Sequence, residues 1–149
     1  MLAAVPAHAS DYNRTYQVVS TAYDVGAYEG EVDRMLQEAD GKGVFGGAGS
    51  TPAGRAQDKV LTRASMLRER DVVLRATTTK VANSLTDAQI DEVIATAGPS
   101  GGTVNQAHVR QTVAAIKASF NEAAWSQLTR VARGNSEFLC SKGDRTFCH

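Results

Sequence analysis

Histidine, cysteine and aromatic residues are scarce in this chain. Its 149 residues include 3 histidines, 2 cysteines and 1 tryptophan, and aromatics make up 6%. His149 is the last residue, and His8 lies in an Ala-rich leader-like segment. His108 is therefore the one histidine inside the expected folded body. A Ser–His–Asp or Cys–His arrangement has to be built on it, and no G-x-S-x-G elbow is present. A zinc site needs about four ligands, which the Cys140, Cys148 and His149 end does not supply. No metal and no cofactor are expected. Residues 41–46, GKGVFG, match G-x-G-x-x-G in letters only. A long helix precedes them and more glycines follow, whereas the dinucleotide fingerprint needs a strand before and a helix after. The chain also has no long apolar run, so no transmembrane segment is expected. Its formal net charge of zero argues against a general nucleic-acid or membrane-surface binder.

What is present suits closely packed helices. The apolar fraction of 42% and charged fraction of 21% are ordinary for a soluble globular chain of this length. Tyr12, Tyr16, Val19 and Tyr23, then Tyr28, Val32, Met35 and Ala39, recur at helical spacing over residues 11–40. A kink or break is expected at Gly26. Residues 41–54, GKGVFGGAGSTPAG, read as a glycine-rich loop with Val44 and Phe45 as its apolar contacts. A second helix is expected from Arg55 to Ala82, burying Val60, Ala64, Leu67, Leu74 and Val81. Asp71 falls on that stripe and requires a local rotation or a basic partner.

Thr86 and Gln89 form a capping box, flanked by Leu85 and Ile90 at staple spacing. Gly98-Pro99 supplies the stop. Thr103 and Gln106 repeat the box before a helix carrying Val109, Val113, Ile116 and Phe120. A fresh cap at Asn121 opens a fifth helix ending at Gly134. The alternative is one helix from Val104 to Arg133. Ser84–Ile90 and Ser119–Trp125 share the same start grammar, which is either a degenerate duplication or convergence on good capping.

Charge is segregated. Residues 1–40 carry a net of −5 and residues 41–85 a net of +5. One reading is complementary faces on neighbouring antiparallel helices. The other is a basic patch of Arg55, Lys59, Arg63, Arg70 and Arg75 for an anionic ligand or envelope polymer. Asp87, Asp91 and Glu92 read first as compensation of a helix dipole. Asp87 or Asp91 is also the natural partner for His108 in a hydrolytic alternative.

Residues 1–9 end in Ala7-His8-Ala9, an A-x-A cleavage pattern after a short apolar stretch. The basic region and most of the apolar region of a full leader are missing. The segment is therefore expected to be a signal-peptide remnant. Export makes a disulfide the natural reading of Cys140 and Cys148, which have seven residues between them around a Lys142-Gly143-Asp144 turn. The bridge would close a tail over residues 135–149.

Residues 84–97, SLTDAQIDEVIATA, followed by Gly98-Pro99-Ser100-Gly101, resemble an uncharacterised family of small exported all-helical proteins of Gram-negative bacteria. Members show a capped helix beginning Leu-Thr-x-x-x-Leu/Ile and then a Ser-Pro-x-Gly-like turn. Ser100-Gly101-Gly102 stands where that turn is expected, with the proline displaced and the aromatic pair absent. Ser50–Arg55 is similar to the turn but precedes the capped helix. The resemblance covers residues 84–102. It implies an exported helical protein and carries no catalytic residue over.

The expectation is an all-α bundle of four or five helices over residues 10–134, with a disulfide-closed C-terminal loop. The chain is expected in the periplasm or outside the cell, in a non-enzymatic binding or structural role toward a protein or envelope partner. Val44, Phe45, Arg55, Lys59, Arg63 and Arg70 are the candidate contacts.

Overall fold

The computed structural model describes residues 10–45, 51–96 and 107–141. These form six helices and, among the described residues, no strand. They are α1 (Tyr12–Ala22), α2 (Val25–Gly41), α3 (Pro52–Arg68), α4 (Arg70–Ser84), α5 (Asp87–Thr96) and α6 (Ala107–Ser141). The all-helical class stands, and the count rises from four or five to six.

The first two helix boundaries that moved have local causes. The first break falls at Tyr23–Asp24, ahead of Gly26. Tyr23 leaves helical geometry (φ −114°, ψ 57°) while its N–H still bonds Val19 O. Gly26 lies in the first turn of α2, where backbone N–H groups have no intrahelical partner to lose. The single helix expected over 55–82 is two helices. Glu69 (φ −97°, ψ 23°) caps α3, its N–H bonding Ser65 O. This step rotates the buried face. α3 buries Gly54, Asp58, Thr62 and Met66, each four residues after the last. Val60 is 66% exposed, and Ala64 is exposed too, so the expected stripe is wrong over α3. It is right over α4, where Leu74 and Val81 are buried. Asp71 lands exposed on the first turn of α4. It accepts hydrogen bonds from Arg75 Nε and Tyr16 OH, both at 2.6 Å.

The loop after α2 is also shorter than expected. Thr51 caps α3 by accepting from Gly54 N at 3.0 Å, with Pro52 opening the helix. Gly43 takes the left-handed conformation at φ +72° that turns the chain off α2. The start of α5 is as expected. Thr86 Oγ1 accepts from Gln89 N at 3.2 Å, and Gln89 Oε1 accepts from Thr86 N at 2.9 Å. Leu85 and Ile90 are buried on either side. The Gly98-Pro99 stop and the Thr103/Gln106 cap lie outside the described residues.

The largest correction concerns α6. It runs unbroken for 35 residues through both Asn121 and Gly134. The continuous alternative is therefore right, and the helix continues to Ser141. Residues 135–141, expected in a tail, are helical. Val109, Thr112, Ile116, Phe120, Ala124, Leu128, Ala132, Ser136 and Leu139 give it one buried stripe at three- and four-residue steps. A stripe that long overrides one unfavourable residue, since burial outweighs local propensity. Thr112 takes the buried place expected for Val113, which is 46% exposed. At Gly134 an added Cβ meets nothing within 4 Å, and φ is not positive. Gly134→Ala should raise stability by about 1 kcal/mol, the helix-propensity difference. A thermal melt should then shift upward by about 2–4 °C.

The chain divides into two compact units. In the first, α1, α4 after Arg70, α5 and the N-terminal half of α6 bury Val19, Leu74, Ile90 and Phe120. The Tyr23 and Phe120 rings stack there at 3.7 Å between centroids. Ser10 N bonds Ala82 O at 2.8 Å, Asp11 N bonds Asp87 Oδ1 at 2.7 Å, and Arg14 pairs with Asp91 at 2.8 Å. In the second unit, α2, α3 and the C-terminal half of α6 bury Tyr28, Met35, Leu36, Phe45, Met66 and Leu128. Tyr28 OH donates to Met66 O at 2.7 Å. Burial, followed by the nearby Glu69 charge, pushes the Tyr28 phenol pKa up, so the hydroxyl keeps the proton it donates.

Candidate functional site

The second unit buries an ionisable side chain among other polar ones. α3 places Asp58 and Thr62, four residues apart, on its buried face, and both are fully buried. α6 brings Asn135 and Ser136 against them. Thr62 Oγ1 donates to Asp58 Oδ1 at 3.4 Å, and Ser136 Oγ approaches Asp58 Oδ2 at 3.5 Å. Asn135 Nδ2 donates to Thr62 Oγ1 at 3.2 Å. A carboxylate is costly to bury unless donors surround it, and this cluster supplies them from two helices.

A groove of about 670 Å³ lies beside the cluster, and Ser136 belongs to both. Val44, Ala132 and Cys140 give the groove an apolar wall. Thr129, Ser136 and Ser141 bring hydroxyls, and Arg133 and Glu137 bring opposite charges one helical turn apart. Continuation of α6 past Gly134 is what creates this surface. A helix stopped at Gly134 has no residues 136–141 to build it.

The sequence-based candidates are dispersed. Val44 lines the groove, whereas Phe45 is buried at 1% exposure and belongs to the core. Cys140 also lines it, and Cys148 lies outside the described residues. The basic face of α3 meets the acidic face of α2. Arg63 bridges Glu29 at 2.6 Å and Asp33 at 2.7 Å, and Lys59 lies 3.5 Å from Asp40. Arg55 is half-buried in the first turn of α3, and Arg70 half-buried at the start of α4. The complementary-face reading of the charge segregation thus has direct ion pairs behind it. A smaller depression of about 370 Å³ on this face includes Lys59, Val60 and Arg63.

The hydrogen bond from Arg63, and then the charges of Arg63 and Lys59, hold Asp33 below the usual carboxylate range. A depressed folded-state pKa contributes stability above the ordinary value of about 3.9 and loses it as pH falls through the folded value. Lowering the pH from 7 to 3 should therefore reduce the melting temperature of the wild type more than that of Asp33→Asn. Thermal melts at both pH values measure the difference.

His108 is exposed and lies 3.1 Å from Glu92. Asp87 and Asp91, the carboxylates expected beside it, are engaged by Asp11 N and Arg14 instead. Among the described residues, no group of three or more His, Cys, Asp or Glu is placed to hold a metal ion. No described helix is long and apolar enough to cross a membrane.

Protein-family models, curated proteins and solved structures yield no match to this chain. The functional reading therefore rests on the residues themselves. Sequence reasoning missed the Asp58–Thr62–Asn135–Ser136 cluster. A signal was present in the four-residue spacing of Gly54, Asp58, Thr62 and Met66. Hydropathy hid it, because the polar residues of that series are the buried ones. On α6, Gly134-Asn135-Ser136 reads as a terminator by composition and is helical by packing.

Proposed function

We propose that this chain is an exported, non-enzymatic helical protein that binds its partner through the groove along the last turns of α6. The groove beside a buried polar cluster is the observation that carries the binding reading. It offers an apolar wall, hydroxyls and a charged rim in one concave surface, the usual composition of a ligand site. Export rests on the Ala7-His8-Ala9 pattern, on the spacing of the two cysteines and on the family resemblance of residues 84–102. The Cys140–Cys148 cross-link belongs to the same proposal. α6 places Cys140 in the lining of the groove. On the chain-entropy model, closing so short a loop contributes about 2–3 kcal/mol.

Nitrogen-15 chemical-shift mapping with soluble peptidoglycan fragments and with lipid micelles tests the binding site. Perturbations at Val44, Ala132, Ser136 and Cys140 support the groove. Perturbations confined to Lys59 and Arg63 would move the site to the basic face of α3. Intact mass with alkylation, before and after reduction, tests the cross-link. A mature N-terminus at Ser10 in protein recovered from the periplasm or medium tests export.

The hydrolytic alternative retains one supporting contact, His108 to Glu92. Both side chains are about half exposed, at 58% and 46%, so water screens the pair. The binding reading expects His108→Ala to leave turnover of a p-nitrophenyl ester at the buffer rate, as in the wild type. Turnover in the wild type that the substitution abolishes would restore the enzyme reading.

A further inference from the structure

We infer that cleavage after Ala9 turns Ser10, the first residue of the mature chain, into a charged cap for the C-terminal end of α4. The inference rests on the export reading and adds what the new terminus does. α4 ends at Ser84, so the carbonyl of Ala82 has no donor within the helix. A further turn would bring Thr86 N to it. That N–H donates instead to Gln89 Oε1 at 2.9 Å, in the capping box of α5. Ala82 is buried, where an unpaired carbonyl is costly. Ser10 N fills the place, donating to Ala82 O at 2.8 Å. A second bond, between Ser10 Oγ and Thr15 Oγ1 at 2.7 Å, ties the residue to a fully buried side chain. The next amide along, Asp11 N, donates to Asp87 Oδ1 at 2.7 Å. Three contacts thus fix the nitrogen that cleavage would free.

Hydrolysis adds water across the Ala9–Ser10 bond. Ala9 departs with the carboxylate, and the Ser10 amine takes up a proton. A single N–H donor becomes an ammonium with three. One of them keeps the bond to Ala82 O, now charge-assisted and roughly twice as strong as the neutral one. The new positive charge sits at the negative end of the α4 dipole. The positive end of α5 opens nearby, and Asp87 in its first turn offsets it. The other charged groups here also favour a cation. Asp11 and Arg14 come from the start of α1, Asp87 and Asp91 from α5, and Lys80 from α4. Arg14 pairs with Asp91, and Lys80 with Glu122 of α6, which leaves Asp11 and Asp87 as the acidic groups beside the new terminus. An uncleaved chain has the hydrogen bond to Ala82 without the charge.

The test compares three forms: the chain from Met1, the chain from Ser10 with a free amine, and the Ser10 chain acetylated at that nitrogen. Acetylation keeps the N–H and removes the charge. Near pH 6 the free-amine form should melt about 1–3 °C above the acetylated form. A group bound as a cation has a raised folded-state pKa. Its contribution is full below the ordinary value of about 7.7–8.0 and is lost as pH rises through the folded value. The gap should therefore close by about pH 10. The Met1 chain should track the acetylated form at both pH values. Carbon-13 titration of Ser10 reads the same group without a melt, and should give a pKa above the ordinary range. An ordinary or lowered value, or a melting gap that is absent or unchanged with pH, overturns the cap. Exported protein that starts at a residue other than Ser10 overturns the cleavage instead, whatever the melts show.

Discussion

Phe120→Ala should destabilise the first unit by about 3–5 kcal/mol, the usual cost of removing a large core aromatic. Phe120 is fully buried at the middle of the α6 stripe and stacks on Tyr23. Tyr23 is also the residue at which α1 ends. The truncation leaves a cavity and removes the ring that fixes the chain where it leaves the helix. Chemical denaturation of wild type and variant measures the loss. A near-ultraviolet circular dichroism signal that falls with it would place the effect at the stacked pair. Val60→Ala is the matching control. Helical periodicity puts Val60 in the core, and the structure leaves it 66% exposed. A change within about 0.5 kcal/mol is expected, as for surface substitutions generally. A loss of about 1 kcal/mol or more at Val60 would mean that α3 presents the face periodicity assigns to it.

Asp58→Ala should cost the second unit about 3 kcal/mol. The substitution removes the acceptor for Thr62 and Ser136 from the interior. Buried donors left without partners cost about 1–3 kcal/mol each before relaxation, and the small cavity adds to this. Asp58→Asn keeps the shape and one carbonyl acceptor, so its loss should be smaller. At this chain length the alanine variant should melt about 6–12 °C lower. A shift below about 2 °C would show that the cluster is hydrated or already open, and that its order does not depend on the carboxylate. The double substitution Asp58→Ala/Ser136→Ala provides the coupling. Residues in one hydrogen-bond network should give a non-additive energy, and additivity within about 0.5 kcal/mol would separate them.

The start of α5 was legible because capping is local chemistry. Thr86 and Gln89 satisfy each other's backbone groups within four residues, whatever the rest of the chain does. The charge segregation was legible for a similar reason. Seven acids against two bases in residues 1–40 need a complement, and Arg63 and Lys59 on α3 supply it to α2. The candidate site was not legible, because it depends on two facts that oppose local signals. Gly134 is among the strongest stop signals in the chain, yet α6 passes through it. Asp58 carries an ionisable carboxyl, yet it is among the most buried residues of α3.

By itself, then, the sequence determined the helical class, the capped entry into α5, the acid-to-base matching of α2 with α3, and the scarcity of histidine that narrows the chemistry. These follow from residue type and short-range spacing, which act before the chain is packed. Tertiary structure alone decided which face of α3 is inside, that α6 continues to Ser141, and that Asp58, Thr62, Asn135 and Ser136 meet beside a groove. Burial against distant parts of the chain sets these outcomes. Its energy, summed over the stripe from Val109 to Leu139, exceeds the roughly 1 kcal/mol that one glycine sets against it.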